Sequence, residues 1–435
     1  MIRRTAAISP RDLLARQFSS LRIFNYRVYF SGQLVSLVGT WMQRTGQDWL
    51  VLKLTGSPLA LGTVTALQFL PITVLTLFGG VFADRWPKRR ILIITQTAAL
   101  LQALMLAILV VTGWVELWHV YLLALWLGIV NAFDGPVRQA FVVELVGRDQ
   151  LANAVALNSS IFNMARILGP AAGGGAIGLV GMSTAFFINA GSFVAVIFAY
   201  AIMRPAEFRA VPQPAAGTGL ISQVFEGFKY SWRTPRVLFL FILLTFIGTF
   251  GYNFSVIIPL IAEFVLHVGP GKFGLLTSFM GAGSLIAALV IAGTGKTSER
   301  VLVISVGMFV ALFVAVAVSP WYYFTGALLI LLGFVSVIFS TTINTSLQLY
   351  VPDELRGRVM SIYFLLFAGT TPIGGYLTGL LGEQFTVSIA LCILAGICGA
   401  GLLIAMLYRA AHASAMAVPP VSTAQSAPRA TVRTG

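Results

Sequence analysis

Charged residues are scarce in this sequence of 435 residues: only 10% are Asp, Glu, Lys or Arg, whereas 58% are hydrophobic. Soluble domains carry about 25% charged residues, so this balance excludes an ordinary soluble fold and places most of the chain in lipid. Histidine and cysteine are rarer still, with three and two residues. The three histidines are scattered without metal-ligand or nucleophile spacing, so we predict no catalytic site, no metal site and no bound cofactor.

Acidic residues are half as frequent as basic ones, 14 against 28, which gives a net charge of +14. Such basicity can indicate a nucleic-acid partner, but the positions of the basic residues argue against one. Apolar runs of about 20 residues predict twelve membrane spans. Their predicted limits are 28–52, 58–82, 91–112, 117–140, 155–178, 182–203, 237–259, 271–293, 301–318, 321–346, 357–381 and 385–408.

Almost all basic residues fall in the termini and connections on one side of these spans, whereas Lys53 and Lys272 fall on the other. By the positive-inside rule, we predict a multi-pass protein of the cell (inner) membrane with both termini in the cytoplasm. The charge therefore reports topology and not nucleic acid. The first apolar run begins only near Val28, and we expect a retained helix and not a cleaved signal.

One long polar connection, rich in proline, glycine and basic residues, divides the predicted spans into two groups of six. The order of a glutamine, a Glu-Leu pair, a proline and paired glycines recurs in both groups, as parallel repeats of one plan would show. The predicted parts are a basic cytoplasmic segment 1–27, a six-helix bundle 28–203, a cytoplasmic linker 204–236, a second six-helix bundle 237–408 and a disordered cytoplasmic tail 409–435.

The first predicted span carries a polar stripe. At 100° per residue its polar side chains fall within an arc of roughly 140°. These residues are Gln33, Ser36, Thr40, Gln43, Arg44, Gln47 and Asp48. Lipid cannot satisfy such a stripe, so we predict that it faces the bundle interior or a water-filled cavity.

Arg44 and Asp48 are four residues apart and can pair on one helix face. Two interpretations remain open. A buried ion pair can serve only to orient the helix. Alternatively, Asp48 is a titratable carboxylate or a substrate contact, and Arg44 is its partner or an anion contact, because ionisable residues inside membranes tend to mark transport pathways.

A charged hairpin, Gly79-Gly80-Val81-Phe82-Ala83-Asp84-Arg85-Trp86-Pro87-Lys88-Arg89-Arg90, separates the second and third spans. A solvated basic turn that serves topology alone explains the bases at 88–90 but not Asp84 after paired glycines. A carboxylate at this position can accept hydrogen bonds from the free N–H groups at the start of another helix. We therefore expect Gly80, Asp84, Arg85, Arg89 and Arg90 to form a contact site for another helix.

The fourth span ends with Asp134 and Arg138, again a carboxylate and a guanidinium four residues apart. We expect Asp134 to pair with Arg85 or Arg89 across the cytoplasmic face. A local pair with Arg138 is the alternative.

The fifth span contains Gly169-Pro170-Ala171-Ala172-Gly173-Gly174. Gly169 and Gly173 form a small-xxx-small face that lets backbones approach closely, and Pro170 removes one backbone hydrogen bond and permits bending. Arg166 and Asn158 share this face. We expect Arg166 to point inward, as an ion-pair partner or an anion contact, and Asn158 to contribute to the cavity.

Two of these motifs carry a resemblance. The hairpin resembles the loop between helices 2 and 3 of the major facilitator superfamily, at Gly80, Ala83, Asp84, Arg85 and Arg89. It departs at Pro87, where that pattern has a second glycine. The fifth span resembles the antiporter motif of the same superfamily, which is associated with exporters. It departs in lacking an upstream glycine, and Arg166 precedes the motif by three residues.

The resemblance implies an all-α membrane protein with twelve transmembrane helices in two pseudo-symmetric six-helix bundles. It places Asp84 against the start of helix 11, the region 352–358. There the contact acts as a gate that closes the cytoplasmic side in the outward-open state. The sequence at residues 31–36, 54–58 and 158–170 resembles that of the bacterial subgroup of enterobactin exporters and macrolide-type efflux proteins. The implied function is secondary active export of a small organic molecule by a monomer, with alternating access and protons moving inward.

The substrate remains open at this stage. A broad apolar cavity suits amphipathic drugs, whereas Arg44 and Arg166 suit an anionic siderophore. Two other functions also remain: uptake or facilitated transport on the same fold, and a membrane sensor or lipid-handling protein that does not pump.

Overall fold

The computed structural model describes residues 18–209, 220–294 and 298–416, with the backbone alone at 77–85, 220–225, 294 and 415. Within these ranges the chain is helical and has no β-strand. Ten of its helices are long and apolar enough to cross a membrane. One of the ten contains two crossings, and the polar first helix, which is outside that set, makes the twelfth. The all-α architecture with twelve crossings is confirmed.

The first six crossings run from residue 24 to residue 202. They are α1 (Phe24–Thr55), α2 (Pro58–Arg85), α3 (Lys88–Val111), α4 (117–146) and α5 (148–180) within the continuous element Leu117–Val180, and α6 (Met182–Ile202). The predicted loop between the fourth and fifth spans is therefore wrong. The chain instead bends at Gly147, whose φ of 73° is a left-handed conformation that glycine adopts without a Cβ clash.

The last six crossings begin after the linker. They are α7 (Pro235–Val265), α8 (Pro270–Thr294), α9 (Glu299–Val318), α10 (Tyr322–Tyr350), α11 (Asp353–Gln384) and α12 (Val387–Ala411). Two of them are irregular. The α7 helix contains π-helical segments at Ile247–Gly251 and Ile261–Val265. The α11 helix is interrupted between Phe367 and Thr371, which divides it into two halves.

Several connecting segments differ from their prediction. The linker contains a helix, Leu220–Arg233, which we call the linker helix. The predicted disordered tail starts inside α12 and continues into the short helix Ala413–Met416. Most of the predicted N-terminal segment, the middle of the linker and most of the tail lie outside the described residues, at 1–17, 210–219 and 417–435.

The two groups of six helices meet along two seams. We call the membrane side that carries the linker the linker side, and the opposite side the far side. Near the far side, α2 packs on the second half of α11, where a Cβ on Gly62 would lie 2.6 Å from the carbonyl oxygen of Gly375. A Cβ on Gly379 would lie 2.5 Å from the carbonyl oxygen of Pro58. Only glycine permits this backbone contact.

The second seam joins α5 to α8, also toward the far side. The backbones of Gly174 and Gly274 contact each other and leave no room for a Cβ on either residue. Ser278 Oγ donates a hydrogen bond of 2.6 Å to the carbonyl oxygen of Ile167 across this seam. The first half of α11, by contrast, packs on α7, α10 and the linker helix, within its own group. The conformation is therefore closed on the far side.

Candidate functional site: a cavity between the two helix groups

A cavity of about 340 Å³ lies between the two groups of helices. This volume is in the range of ligand pockets, about 300–1,000 Å³. Its lining comes from α1, α2 and α5 on one side and from α7, α8, α10 and α11 on the other. The lining residues are Trp41, Arg44, Thr45, Asp48, Phe69, Arg166, Tyr252, Phe254, Ser255, Ile258, Pro259, Phe273, Thr277, Met280, Ser336, Val337, Ser340, Phe367, Ala368 and Thr371.

Arg44 lies on the α1 side of this cavity and is held by aromatic rings. Its guanidinium carbon is 5.6 Å from the ring centroid of Trp41 and 5.0 Å from that of Phe69 on α2. The ion pairs within 4.0 Å among the described residues do not include Arg44 with Asp48. Cation–π contacts leave the N–H donors of a guanidinium available. Arg44 can therefore bind a ligand in this cavity.

Arg166 reaches the same cavity from α5. Its Nη2 donates a hydrogen bond of 3.1 Å to Ser284 Oγ on α8, across the seam between the helix groups. Asp48 is 6% exposed and is the one carboxylate among the described residues that line the cavity. Two guanidinium groups and one carboxylate give this cavity a net positive charge. Such a cavity favours an anion.

The other half contributes aromatic rings as well as aliphatic and hydroxyl side chains. Tyr252 follows the first π-helical segment of α7, and its hydroxyl donates to the carbonyl oxygen of Ser336. Its ring centroid lies 5.9 Å from that of Phe309 and 5.2 Å from that of Phe367. Phe69, Phe367 and Ser284 could not be identified from the sequence, because each lies in a run of ordinary span residues.

A second cavity, of about 180 Å³, lies inside the first six helices. Six of its fifteen lining residues are asparagine or glutamine. The lining residues are Ser36, Leu37, Thr40, Gln43, Arg44, Gln47, Gln68, Gln96, Ala99, Leu127, Val130, Asn131, Arg138, Asn189 and Phe193. Arg44 lines both cavities, so we define this second space as the amide cavity that adjoins the central one.

Three amide side chains bind one another across α1, α3 and α6. Gln43 Nε2 donates to Gln102 Oε1 at 2.8 Å, and Asn189 Nδ2 donates to Gln43 Oε1 at 2.7 Å. Among the described residues, Gln96 Oε1, Gln102 Nε2 and Arg138 Nε are buried without a protein hydrogen-bond partner. A buried polar atom is expensive unless it is hydrogen-bonded, so the free atoms of Gln96 and Arg138, which line the amide cavity, make it suitable for water.

Asp134 does not line this cavity but binds two residues that do, and it is 1% exposed. Its Oδ1 accepts hydrogen bonds of 2.8 Å from Thr95 Oγ1 and from Gln96 Nε2, and its Oδ2 pairs with Arg138. Arg138 Nη1 in turn donates to Gln33 Oε1 at 3.1 Å. A buried carboxylate with these partners is well satisfied. The local pair with Arg138 is therefore the alternative that the structure supports.

The polar stripe of α1 is thus divided. Thr40 and Gln47 line the amide cavity, Asp48 lines the central cavity, and Arg44 lines both. Gln33 lines neither cavity and instead donates from Nε2 to the Tyr200 hydroxyl at 3.1 Å. Asn158, expected in the cavity, also lines neither and accepts a hydrogen bond from the Tyr26 hydroxyl at 3.1 Å.

A family model described as a transmembrane secretion effector, one of the MFS models, matches residues 15–433. The chain belongs to this family of major facilitator transporters. It is a multi-pass membrane transporter of the efflux subgroup and not an enzyme. The Staphyloferrin A transporter of Staphylococcus aureus is 26% identical over 83% of this chain and 90% of its own length. The multidrug efflux pump Tap of Mycolicibacterium fortuitum is 27% identical over 77% of this chain and 83% of its own length. The enterobactin exporter EntS of Citrobacter koseri is 24% identical over 83% of this chain and 86% of its own length.

Solved structures of major facilitator transporters share the fold. A bacterial homologue of the lysosomal transporter Spinster, in an inward-facing and occupied conformation, has a TM-score of 0.69 at 12% identity and covers 91% of this chain and 97% of its own. A POT family transporter in complex with 5-aminolevulinic acid has a TM-score of 0.71 at 11% identity and covers 88% and 95%. At such identity the likeness concerns the fold alone.

In this transporter, the bases of the charged hairpin contact their own half. Arg89 donates from Nε to the carbonyl oxygen of Tyr200 at 2.7 Å and from Nη2 to that of Ala201 at 2.8 Å. The expected pair between Asp134 and Arg89 is therefore wrong, because Arg89 binds backbone carbonyl oxygens at the end of α6 instead. Arg90 is exposed. The side chains of Asp84 and Arg85, and Gly80, lie outside the described side chains, so their gate role stays a prediction.

The motif of α5 lies where three helices meet. A Cβ on Gly169 would clash with Trp41 and one on Gly173 would lie 2.9 Å from the Cα of Met42, both on α1. Gly174 contacts α8, and the carbonyl oxygen of Pro170 lies against Gly274 of that helix. These small residues let α5 touch its own half and the other half at once.

Proposed function

We propose that the chain is a monomeric secondary transporter of the inner membrane that exports a small organic anion by proton antiport with alternating access. The observation that carries the proposal is the pair of guanidinium groups, Arg44 and Arg166, in a cavity between two helix groups that is closed on the far side. Siderophores are the substrates we expect, because two relatives are named for Staphyloferrin A and enterobactin.

Charge and aromatic surface together support an anion with an apolar part. A guanidinium provides five N–H donors and binds carboxylates and similar groups in a bidentate way. The rings of Phe69, Phe254 and Phe367 offer apolar contact in the same cavity. The seam bond from Arg166 to Ser284 spans both halves, so an anion that competes for Arg166 also acts on the contact between them.

Three irregular segments support alternating access. The break in α11 at 368–370 and the two π-helical segments of α7 interrupt the regular hydrogen-bond ladder next to the central cavity. Such interruptions allow a helix to bend. Closing the linker side requires the first half of α11 to approach α2. The Asp84 gate is the contact that we propose for that state.

The amide cavity supports a proton route separate from the substrate. It extends from Arg138, the partner of Asp134, to Arg44 beside the central cavity. Water molecules that the amide groups hold by hydrogen bonds can pass protons between carboxylates. We propose that protons travel between Asp48 and Asp134 through this cavity, in the opposite direction to the substrate.

The orientation follows from the basic residues. We place the linker and both termini in the cytoplasm, because the linker side carries almost all of the bases. The far-side-closed conformation is then inward-facing, and residues 28–203 and 237–408 are the two rocking bundles.

Cells that express the chain provide the test of substrate charge. Efflux of carboxyfluorescein and Staphyloferrin A, both offered as anions, is compared with efflux of cationic ethidium. We expect export of the anions and its loss in Arg44→Gln and Arg166→Gln, at unchanged protein level. Arg300→Gln, an exposed base outside the cavity, is the matched control. Export of ethidium alone, or anion export that both cavity variants retain, would overturn the anion assignment.

A further inference from the structure

The linker helix has one face against the protein. Gly227 is buried, and a Cβ on it would lie 3.0 Å from Arg358 Cβ and 3.1 Å from the carbonyl oxygen of Arg358. Glu226 forms an ion pair with the same Arg358. Ser231, one turn after Gly227, is 3% exposed. The helix therefore lies directly against the first turns of α11.

The opposite face is exposed and amphipathic. Phe228 and Trp232 are 55% and 66% exposed, and their rings stack with centroids 6.2 Å apart. Lys229 and Arg233 are also exposed. At 100° per residue, the two aromatic and the two basic residues fall side by side on the arc opposite Gly227. Aromatic rings beside basic side chains are typical of helices that lie in a membrane interface.

The position of the linker helix fits this role. Thr234 alone separates it from Pro235, where the α7 crossing begins. Arg236 at that boundary donates from Nε to the carbonyl oxygen of Met416 at 2.8 Å, and its guanidinium carbon lies 5.3 Å from the ring centroid of Tyr350. The linker helix is therefore tied to the end of a membrane span.

We propose that the linker helix binds acidic phospholipid of the linker-side leaflet, and that the bound lipid holds the first half of α11 in the far-side-closed conformation. The aromatic pair enters the acyl boundary, and Lys229 and Arg233 contact the phosphate groups. The identity of that leaflet as the cytoplasmic one rests on the proposed orientation. The occupant is a lipid and not a soluble partner, because the linker helix continues directly into a membrane span. Its exposed face also combines apolar aromatic rings with positive charge.

The linker helix contacts Arg358 in the first half of α11, and through this contact the bound lipid can affect the position of that half. The break at 368–370 lets the first half of α11 move separately from the second half, which the Gly62 and Gly379 contacts hold against α2. Movement of the first half toward α2 would pull Arg358 from Glu226 or drag the linker helix with it. A helix anchored in acidic lipid opposes that movement, so the lipid favours the conformation described here.

Hydrogen–deuterium exchange of the full chain tests both the lipid binding and its effect on α11, without any transport assay. The protein is placed in nanodiscs of phosphatidylcholine alone or of equal parts phosphatidylcholine and phosphatidylglycerol. Each base near an acidic surface strengthens binding about fivefold, so we expect phosphatidylglycerol to slow exchange at 226–233 on the order of tenfold. The first turns of α11, at 353–360, should slow as well. Equal exchange in both lipids would overturn the proposal.

Three variants distinguish the lipid site at Lys229 and Arg233 from the contact between Glu226 and Arg358, which we call the clamp. Lys229→Gln with Arg233→Gln should remove the phosphatidylglycerol effect at both segments, whereas the control Arg148→Gln with Arg300→Gln, two exposed bases on the same side, should retain it. Glu226→Gln should keep the effect at 226–233 and lose it at 353–360. A full effect in the first double variant would overturn the lipid site. A full effect at 353–360 in Glu226→Gln would overturn the clamp. Export can fail or succeed independently of all these readouts.

Discussion

Glu383, near the far-side end of α11, accepts a hydrogen bond of 2.7 Å from the hydroxyl of Ser57, the residue that precedes α2. The same carboxylate oxygen accepts from the backbone N–H of Leu59 at 3.2 Å, and Ser57 Oγ accepts from Ala60 N at 3.1 Å. A carboxylate of one helix group thus caps the first turn of a helix in the other group. A negative charge there is favoured by the helix dipole, so the contact acts as a latch on the far side.

Glu383→Ala should weaken far-side closure, because it removes two hydrogen bonds between the halves. The bonds are exposed to solvent, so we expect a shift of about threefold and not complete opening. The readout is the labelling rate of a cysteine at Ser255, which lines the central cavity, by an impermeant thiol reagent added on the far side. Cys392 and Cys398 are first replaced by alanine. Glu116 is an acidic residue on the same side but away from the seam, and the control variant Glu116→Ala should be labelled at the parent rate. Equal labelling rates in Glu383→Ala and Glu116→Ala would contradict the latch.

Gly379→Leu should prevent far-side closure altogether. A Cβ at this position already lies 2.5 Å from the carbonyl oxygen of Pro58, and no side chain relaxes a contact with backbone. We expect export to be lost and the Ser255 cysteine to be labelled rapidly from the far side, at normal protein level. Gly191→Leu is the control, because nothing lies within 4 Å of a Cβ at Gly191. Normal export by Gly379→Leu would show that the seam does not close during the cycle.

Asp84→Asn should abolish export and leave the protein level intact. The substitution removes the charge that we expect to bind the start of α11 when the linker side closes. Asp149→Asn is the matched control, because Asp149 is an exposed acid on the same side of the membrane, with its side chain 91% exposed. Transport that is unchanged in Asp84→Asn would remove the gate argument.

Asp48→Asn and Asp134→Asn should uncouple export from pH. In the parent chain, export should rise as the far-side pH falls, because inward proton movement drives it. Without one of these two titratable carboxylates on the proposed proton route, the rate should become nearly independent of pH. Export assayed across a series of external pH values measures this. An unaltered profile in Asp48→Asn would return that residue to a structural role.

Much of this architecture could be predicted from the sequence, because lipid imposes strong constraints on composition. Apolar length predicted the twelve crossings, and the polar stripe of α1 indicated a cavity. The local pair of Asp134 with Arg138 could be predicted from its spacing, but the partners from distant helices could not. Asp134 binds Thr95 and Gln96 of α3, and Arg44 rests on Phe69 of α2, contacts that depend on how distant helices pack.

The connections were predicted less well than the spans. The bend at Gly147 replaces an expected loop, because one left-handed glycine suffices to turn the chain between α4 and α5. The linker helix was missed because prolines and glycines before residue 220 dominate the composition of the linker. Its signal was the alternation of Gly227 and Ser231 with Phe228 and Trp232 at helical spacing.

The central claim is that one cavity exchanges an organic anion for protons, and inverted membrane vesicles test it most directly. Vesicles that contain the parent chain are energised so that their interior becomes acidic, and accumulation of carboxyfluorescein and Staphyloferrin A is followed before and after nigericin collapses the pH gradient. The account predicts accumulation that requires the gradient and disappears in Arg44→Gln with Arg166→Gln. Accumulation that persists after nigericin, or none for either anion in vesicles that contain folded protein, would contradict it.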